Sequence, residues 1–141
     1  MKIYIEGPGR APQRAHDYDT GADVFSPIDI QLEPEATEAI DLLLSVKIPP
    51  GFAGFVYPRT SLTAKGILCH LPPIDSGYTG SIHAFLTNTG PNCYRIREGD
   101  RIGQLVILPV VIPEIVYSNG HNHNACSRPQ RGDGAFGSTG R

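Results

Sequence analysis

The chain has 141 residues, enough to bury the core of one domain, and its 16 glycines and 13 prolines exceed the usual share. That excess disfavours long helices and favours many short strands joined by turns. A formal net charge of −2 argues against a general nucleic-acid binder, which would normally carry a basic face. No apolar run approaches the ~20 residues of a membrane-spanning helix, so neither nucleic acid nor a membrane is expected as a partner.

The cysteines and the N-terminal segment bear on the compartment. Three cysteines, at positions 69, 93 and 126, are too few and too widely spaced for a full disulfide framework, which favours a reducing environment. Residues 1–10 have no charged lead followed by an apolar stretch, so we expect no signal peptide. These features predict a single-domain cytoplasmic protein.

Alternation of apolar and polar residues predicts the first strands in chain order. Residues 28–33 alternate strictly and predict a half-buried strand. The same alternation runs from 40 to 48, where only Leu43 breaks it, and the Pro-Pro-Gly segment 49–51 ends it because proline cannot continue a ladder. The aromatic and β-branched segment 52–57 predicts the next strand.

The second half of the chain continues this pattern. Residues 60–65 predict one helical turn, and 82–86 alternate as a further strand. Residues 102–116 are nearly continuously apolar, which predicts a strand buried on both faces, either inside a sandwich or at a subunit interface. No segment shows a helical stripe of any length.

Short strands separated by turn residues predict an all-β fold, a β-sandwich or jelly roll. We assign this domain to residues 1–117. Residues 118–141 are polar and glycine-rich, so they predict a flexible C-terminal arm beyond the folded domain.

A cluster of polar residues follows the strand predicted at 52–57. It places the guanidinium of Arg59 beside the hydroxyls of Thr60 and Ser61. Arginine binds phosphate by a charged two-point contact, to which hydroxyls and backbone N–H groups add hydrogen bonds. The same residues are typical of a Ser/Thr cap on a short helical turn, and both interpretations stay open here.

A second polar segment, 72–80, combines a carboxylate and a tyrosine across a tight turn. As a functional pair, Asp75 would be a general base and Tyr78 a flat wall for a ring. As a structural pair, they would form a hairpin in which Asp75 hydrogen-bonds its own backbone. The chemistry of these residues alone does not decide between the two.

The C-terminal segment 132–140 places four glycines around one aromatic residue. It is not a P-loop, because the Gly-Lys-Ser/Thr ending and the preceding strand are missing. A glycine-rich disordered tail is one interpretation. An arm that folds over a ligand is the other, since Phe136 could cover a base while Ser138 and Thr139 meet phosphate.

Two further sets of residues bear on metals. Asp23 lies in the segment 18–25, where a carboxylate would either support a metal ion through water or form part of a turn. His121, His123 and Cys126 are closely spaced and lack a distant fourth ligand, which favours a solvated loop over a structural zinc site.

Taken together and in this order, these segments resemble the five motifs of the trimeric dUTPase family. The motifs are Gly-Ala-Asp-Val-Phe at 21–25, Pro-Arg-Thr-Ser-Leu at 58–62, Ile-Asp-Ser-Gly-Tyr-Thr-Gly at 74–80, Gly-Asp-Arg-Ile-Gly-Gln-Leu at 99–105, and Arg-Gly-Asp-Gly-Ala-Phe-Gly-Ser-Thr-Gly at 131–140. Any single motif is weak evidence. Five in the family order, spanning nearly the whole chain, are specific.

The resemblance implies a β-jelly roll assembled as a homotrimer, with each active site built from several subunits, and Mg²⁺-dependent hydrolysis of dUTP to dUMP and pyrophosphate. By this resemblance Asp75 would activate the water that attacks the α-phosphorus, Tyr78 would pack under the deoxyribose, and Asp23 would support Mg²⁺ through water. The other residues implied to bind the substrate, four at its phosphates and five in a closing arm, are Arg59, Thr60, Ser61, Gln104, Arg131, Phe136, Gly137, Ser138 and Thr139.

The sequence departs from the family pattern in three places. Thr60 replaces the more usual serine, and Gly77 stands where an acidic residue is common. Pro72 and Pro73 stand where the family commonly has glycine, in the hairpin whose backbone reads uracil, and prolines have no N–H to donate. We therefore expect the donors to uracil to be the Ile74 N–H or the chain just before the two prolines, with a proline carbonyl accepting from N3–H.

Two other functions are compatible with this fold. A dCTP deaminase-like enzyme needs an acid/base at C4 of cytosine and does not need a Phe-Gly-Ser-Thr arm. A regulatory binding module without catalysis would not need the intact set of Arg59, Asp75 and Tyr78. A protein-binding role alongside catalysis stays open, and residues 121–128 are the segment to which we would assign an unknown protein partner.

Overall fold

The computed structural model describes residues 1–116, and nearly all of their regular structure is β-strand. These residues contain one short helix, α1, and no helix long and apolar enough to cross a bilayer. The elements in chain order are β1 Tyr4–Glu6, β2 Ala22–Phe25, β3 Ile30–Leu32, β4 Thr37–Asp41, β5 Ser45–Lys47, β6 Phe52–Tyr57, α1 Thr60–Thr63, β7 Ile67–His70, β8 His83–Asn88, β9 Tyr94–Ile96 and β10 Arg101–Pro109.

Two three-stranded antiparallel sheets, ordered β2-β10-β6 and β4-β8-β7, form the main body. The pairs β1-β5 and β3-β9 add two smaller sheets. Buried side chains from both three-stranded sheets belong to one hydrophobic core, which includes Val24, Ile40, Val56, Ile67, Ala84, Leu86 and Leu105. Two sheets that share one core form a β-sandwich, so the predicted all-β sandwich is confirmed.

The strand predicted over 40–48 consists of two strands, β4 and β5, which pair with different partners. Between them Leu43 has a φ of 56°, in the left-handed region, and its side chain is 42% exposed. The Asp41 carboxylate accepts the Leu43 N–H at 2.8 Å and holds this bend. The prediction of one strand is wrong because this residue redirects the chain, and the broken alternation at Leu43 marks the place.

Two other predicted strands are shorter than their patterns indicate. The strand β3 begins at Ile30, and Ile28 lies outside it, exposed. The strand β10 ends at Pro109, and the apolar residues beyond it, Val111, Ile112, Ile115 and Val116, are 75–91% exposed. Burial on both faces therefore holds within β10 but is wrong for 110–116 in a single chain. Burial of that segment between subunits stays a prediction.

Three further predicted elements are present, and four observed strands were not predicted. The strand predicted at 52–57 is confirmed by β6, the helical turn at 60–65 by α1, and the strand at 82–86 by β8, one residue later. Alternation does not predict β1, β2, β7 or β9, because these strands have three or four residues and no longer alternating segment surrounds them. The domain boundary at 117 and the arm at 118–141 lie outside the described residues, and the cytoplasmic location stays a prediction.

Candidate active site

A polar cleft of about 450 Å³ lies between α1, β9 and the start of β10. Three cationic side chains, those of Arg59, Lys65 and Arg101, line it together with Ser61. The other lining residues are Leu62, Tyr94, Ile96, Gly99, Asp100 and Ile102. Because one carboxylate faces three cations here, the cleft suits an anionic ligand.

The end of β6 determines where Arg59 lies. Pro58 follows the last residue of β6, and Arg59 continues in an extended conformation, with φ −86° and ψ 138°, as the residue that caps α1. No side-chain hydrogen bond caps this helix. The capping interpretation of the two hydroxyls is therefore wrong. Ser61 lines the cleft, whereas Thr60 is exposed and does not line it.

A tight turn between β9 and β10 places Arg101 at the cleft. Gly99 adopts a φ of 84°, which glycine reaches without strain. The Asp100 carboxylate accepts the Arg97 N–H at 2.9 Å. Ser26 pairs with the turn on both sides, donating its N–H to the Asp100 carbonyl at 2.9 Å and accepting the Gly99 N–H at 2.8 Å. The turn thus fixes the entry of β10.

The carboxylate of Asp23 lies behind the cleft and pairs with both arginines. Its residue is 6% exposed, and it is not among the residues that line the cleft. Asp23 Oδ1 lies 3.1 Å from Arg59 Nε, and Oδ2 lies 3.4 Å from Arg101 Nη1. Gln104, the partner of Asp23 in the β2–β10 register, directs Nε2 toward Oδ1 at 3.4 Å. Three motifs that are distant in sequence therefore meet at one buried carboxylate.

Gln104 occupies this cluster instead of the cleft. A Cβ atom at Gly21 would lie 2.8 Å from Gln104 Cβ, so only glycine permits the close approach of the two segments. Within one chain Gln104 is not a lining residue of the cleft. Its predicted contact with phosphate stays a prediction.

The predicted general base, Asp75, lies in a hairpin next to β6. The Tyr78 N–H donates to the Asp75 carbonyl at 3.1 Å, and Gly77 between them has a φ of 80°, as the third residue of a type II turn requires. The Tyr78 hydroxyl donates to the Ser81 carbonyl at 3.0 Å. The tight turn that both interpretations share is present, and it holds the backbone of a half-buried Asp75. The predicted hydrogen bond from the Asp75 side chain to its own backbone stays a prediction. A catalytic role for that side chain is compatible with this turn.

Asp41 on β4 anchors the far side of this hairpin. Its carboxylate accepts hydrogen bonds from the Ser81 hydroxyl and the Leu43 N–H. Partial burial alone would raise the pKa of Asp41, but these two hydrogen bonds favour the ionised form and hold its pKa below the ordinary value. The hairpin is therefore connected to β4 through an ionised carboxylate.

Backbone pairing at Ile74 restricts how the hairpin could read a base. Ile74 and Gly54 form an isolated bridge, in which the Ile74 N–H donates to the Gly54 carbonyl at 2.8 Å and the Ile74 carbonyl accepts the Gly54 N–H at 2.9 Å. The expectation that the Ile74 N–H donates to uracil is therefore wrong, because this donor is already used. Of the two predicted sources of donors, the chain just before Pro72 remains, and Pro72 and Pro73 are exposed.

One chain does not bring Asp75 and Arg59 to the same cleft. Asp75 is not among the residues that line it. Its neighbour Ile74 pairs with Gly54, five residues before Arg59, which corresponds to roughly 16 Å of extended chain at ~3.3 Å per residue. The bridge next to the predicted base therefore lies within β6, whereas the predicted phosphate-binding arginine lies beyond the end of that strand.

Other predicted residues cannot be placed. Arg131, Phe136, Gly137, Ser138 and Thr139, and the histidines and cysteine at 121–126, lie outside the described residues. Among residues 1–116, no group of three or more His, Cys, Asp or Glu side chains is arranged to hold a metal ion.

Two cations of the cleft were missed by reasoning from the sequence. Arg101 stands inside the motif-like segment 99–105, so the resemblance itself contained the signal. Lys65 belongs to a segment that predicts only a helical turn, and nothing in its sequence context pairs it with Tyr94, whose ring centroid lies 5.5 Å from the Lys65 ammonium.

Comparison with known proteins identifies the family. The dUTPase family model matches residues 8–140. The deoxyuridine 5'-triphosphate nucleotidohydrolase of Mycobacterium sp. (strain JLS) is 39% identical over 133 residues, which cover 92% of this chain and 86% of that protein. The protein of the same name from Tropheryma whipplei (strain Twist) is 37% identical over 145 residues, covering 100% of this chain and 95% of the relative.

Solved structures agree with these relatives. The Staphylococcus bacteriophage 80alpha dUTPase with dUpNHpp matches with a TM-score of 0.78 at 27% identity, covering 99% of each chain. A mutant dUTPase from phage phi11 of S. aureus, which reveals the coordination of a structural Mg(II) ion, matches with a TM-score of 0.79 at 25% identity, covering 86% of this chain and 99% of the other.

These matches place the chain among nucleotide hydrolases, and its fold is a β-sandwich with a cationic cleft. It belongs to the dUTPase family, whose members are dUTP diphosphatases. The family resemblance drawn from the five sequence motifs is confirmed.

Proposed function

We propose that this chain hydrolyses dUTP to dUMP and pyrophosphate. The observation that carries the proposal is the cleft in which Arg59, Ser61 and Arg101 lie together, in a chain whose relatives are named for this reaction. Guanidinium groups bind phosphate oxygens through charge-assisted hydrogen bonds. Phosphoryl transfer depends mainly on positioning and on neutralising charge, which such a cleft supplies.

The reaction requires a base as well as a phosphate site. Asp75 takes a proton from a water molecule, whose oxygen bonds to the α-phosphorus while the bond from that phosphorus to the bridging oxygen breaks and pyrophosphate leaves. Tyr78 packs under the deoxyribose, where a 2′-hydroxyl would clash. Arg59, Thr60, Ser61 and Gln104 hold the phosphates.

The C-terminal arm completes the site in this proposal. Phe136 covers the uracil ring, Ser138 and Thr139 bond to the distal phosphates, and Arg131 and Gly137 belong to the same closing segment. The proposal rests on the motif at 131–140 and on the family match, which extends to residue 140. Closure of such an arm excludes water that would compete in the site.

We further propose a homotrimer in which Asp75 and Arg59 of one site come from different subunits. Two observations support it. Asp75 does not line the cleft of its own chain, and its neighbour Ile74 pairs with Gly54, which lies roughly 16 Å of extended chain before Arg59. The apolar side chains at 111–116 are largely exposed in a single chain, as expected for residues that a neighbouring subunit covers.

Magnesium, when bound, would neutralise phosphate charge and orient the triphosphate for attack. The described residues fit an ion held mainly by substrate and water, because they offer no cluster of three ligating side chains, and Mg²⁺ readily takes phosphate oxygens and waters as ligands. Asp23 is the carboxylate that the resemblance offers, yet both of its oxygens face guanidinium groups. Arg59, Ser61 and Arg101 would meet the phosphate oxygens that remain.

Base selection would then rest on the chain before the two prolines. Leu71 lies outside the β7–β8 pairing, so we propose its N–H as a donor to uracil, with a carbonyl of Pro72 or Pro73 accepting from N3–H. Cytosine has no N3–H, so this arrangement rejects it. Equal turnover of dUTP and dCTP would contradict this account while leaving the hydrolase intact.

The first experiment measures pyrophosphate release from dUTP, dCTP, dTTP and UTP, with and without Mg²⁺, together with ammonia release from dCTP. We expect pyrophosphate from dUTP alone. Ammonia without pyrophosphate would favour the deaminase-like alternative. Binding of dUTP without either product would favour a regulatory module.

A second experiment tests the shared site. Arg59→Gln and Asp75→Asn chains, each nearly inactive, are unfolded, mixed in equal amounts and refolded together. Mixed trimers would contain sites with both residues intact, so activity should return to about a quarter of the wild-type value, as random assembly predicts. Refolding each variant alone is the control. A mixture no more active than its components would mean that each site is built from one chain.

A further inference from the structure

One carboxylate organises the positive charge of the cleft. Asp23 is 6% exposed, and its two oxygens face two different guanidinium groups, at 3.1 Å and 3.4 Å. It does not line the cleft, whereas both of its arginine partners do. The carboxylate therefore contacts the groups that would bind phosphate and lies behind them.

The chemistry of these contacts favours orientation over ligand binding. A buried carboxylate is stable only when it is paired and hydrogen-bonded, and here the arginines provide that pairing. Asp23 contacts Arg59 at Nε, and a guanidinium has five N–H donors in a fixed fork, so donors remain for a phosphate. A long side chain fixed at one edge also loses less freedom when a ligand binds to it.

We propose that Asp23 is a positioning residue: it holds the guanidinium groups of Arg59 and Arg101 at the cleft and does not itself touch the substrate or its metal ion. The inference rests on the proposed hydrolysis of dUTP. It differs from the role implied by the family resemblance, in which Asp23 supports Mg²⁺ through water. The two roles predict different responses when the carboxylate is removed.

The test compares Asp23→Asn with wild type in the assembled full-length enzyme. An asparagine keeps the shape but cannot pair two guanidinium groups, so we expect kcat/KM for dUTP to fall about thirtyfold. The Mg²⁺ concentration that gives half-maximal turnover should stay within about twofold of wild type. A shift of tenfold or more in that concentration would overturn the positioning role in favour of the metal role.

A double-mutant comparison shows whether Asp23 acts through the arginine. If it does, adding Asp23→Asn to Arg59→Gln should lower kcat/KM by no more than about threefold beyond Arg59→Gln alone, because residues that act as a unit are not additive. Losses that multiply would overturn the inference. Asp23→Glu keeps the charge and should retain more activity than Asp23→Asn.

Separate control measurements test whether each variant is folded and whether the wild-type enzyme is active. Thermal unfolding and trimer mass report whether each variant is folded, and if Asp23→Asn is not, Asp23→Ser, which also removes the charge, takes its place in both comparisons. A wild-type enzyme that releases no pyrophosphate from dUTP would remove the proposed function. A wild type that is active beside an Asp23→Asn variant of unchanged kcat/KM would remove only the inference about Asp23.

Discussion

The cleft and the hairpin are fixed by different kinds of interaction. At the cleft, charged side chains from three distant segments converge on Asp23. At the hairpin, backbone bonds hold the chain: Ile74 pairs with Gly54, and the Tyr78 N–H closes a turn on Asp75. The positive charge of the cleft therefore depends on ion pairs between side chains, whereas the position of Asp75 depends on backbone conformation.

The largest expected effect comes from removing the base without disturbing the cleft. Asp75→Asn should lower turnover about 10²–10⁴-fold, the usual contribution of a general base, while dUTP still binds through the arginines. Pyrophosphate release and nucleotide binding measure the two parts. The exposed Glu6, which pairs with Lys47 across β1 and β5 and does not line the cleft, gives the control Glu6→Gln. Preserved turnover in Asp75→Asn would remove Asp75 from its role.

The next largest expected effect comes from deleting the C-terminal arm, on which both the cleft and the hairpin should depend for activity. Deleting residues 131–141 should leave a folded trimer that is at least about a hundredfold less active. In the proposed site the arm covers the uracil ring, and neither the cleft nor the hairpin does so. Turnover and thermal unfolding are measured side by side. A deletion that unfolds the protein would show that these residues stabilise the fold instead.

Matched alanine substitutions at three glycines test the cleft and the hairpin separately. Gly51, Gly77 and Gly99 all have φ near 80°, and a Cβ at any of them meets no atom within 4 Å. Alanine at each should lower the free energy of unfolding by about 1–2 kcal/mol, the cost of a left-handed residue. Gly77→Ala should reduce kcat several-fold because it distorts the hairpin, and Gly99→Ala should raise KM because it displaces Arg101.

Gly51→Ala is the control for this pair, since it carries the same backbone strain in a turn that belongs to neither region. It should lower stability without changing kcat or KM. Identical kinetic effects for all three alanine variants would show that general destabilisation, and not local geometry, controls the rate.

The smallest expected effect concerns the anchor of the hairpin at Asp41. Because the pKa of this group is lowered in the folded state, its stabilisation is present above the unfolded-state value of 3.8 and is lost as the pH falls through the folded value below it. Asp41→Asn should lower the free energy of unfolding at pH 7 by a few tenths of a kcal/mol, as is usual for a partly exposed group. Denaturant unfolding at pH 7 and pH 2.5 should show the difference disappear at the lower pH. A constant difference would contradict the assignment.

The sequence predicts those parts of the molecule that residue types or sustained alternation specify. The sandwich follows from alternation at 52–57 and 82–86, and Arg59 and Ser61 are identified by their chemistry. The left-handed bend at Leu43 is marked in the sequence only by one broken position in the alternation, and the end of β10 at Pro109 is hidden by the apolar residues that follow it. The ion pairs of Asp23 could not be predicted, since they join segments 36 and 78 residues apart.

The bridge between Ile74 and Gly54 brings the hairpin into close contact with β6. A Cβ atom at position 54 would lie 2.7 Å from Ile48 Cδ1, 3.2 Å from Ile107 Cδ1 and 3.4 Å from Ile74 Cβ. A Cβ atom here would force the ends of the Ile48 and Ile107 side chains to shift, so glycine lets these isoleucines close over the strand without repacking. Glycine at position 54 therefore allows the segment that carries Asp75 to pack directly against β6.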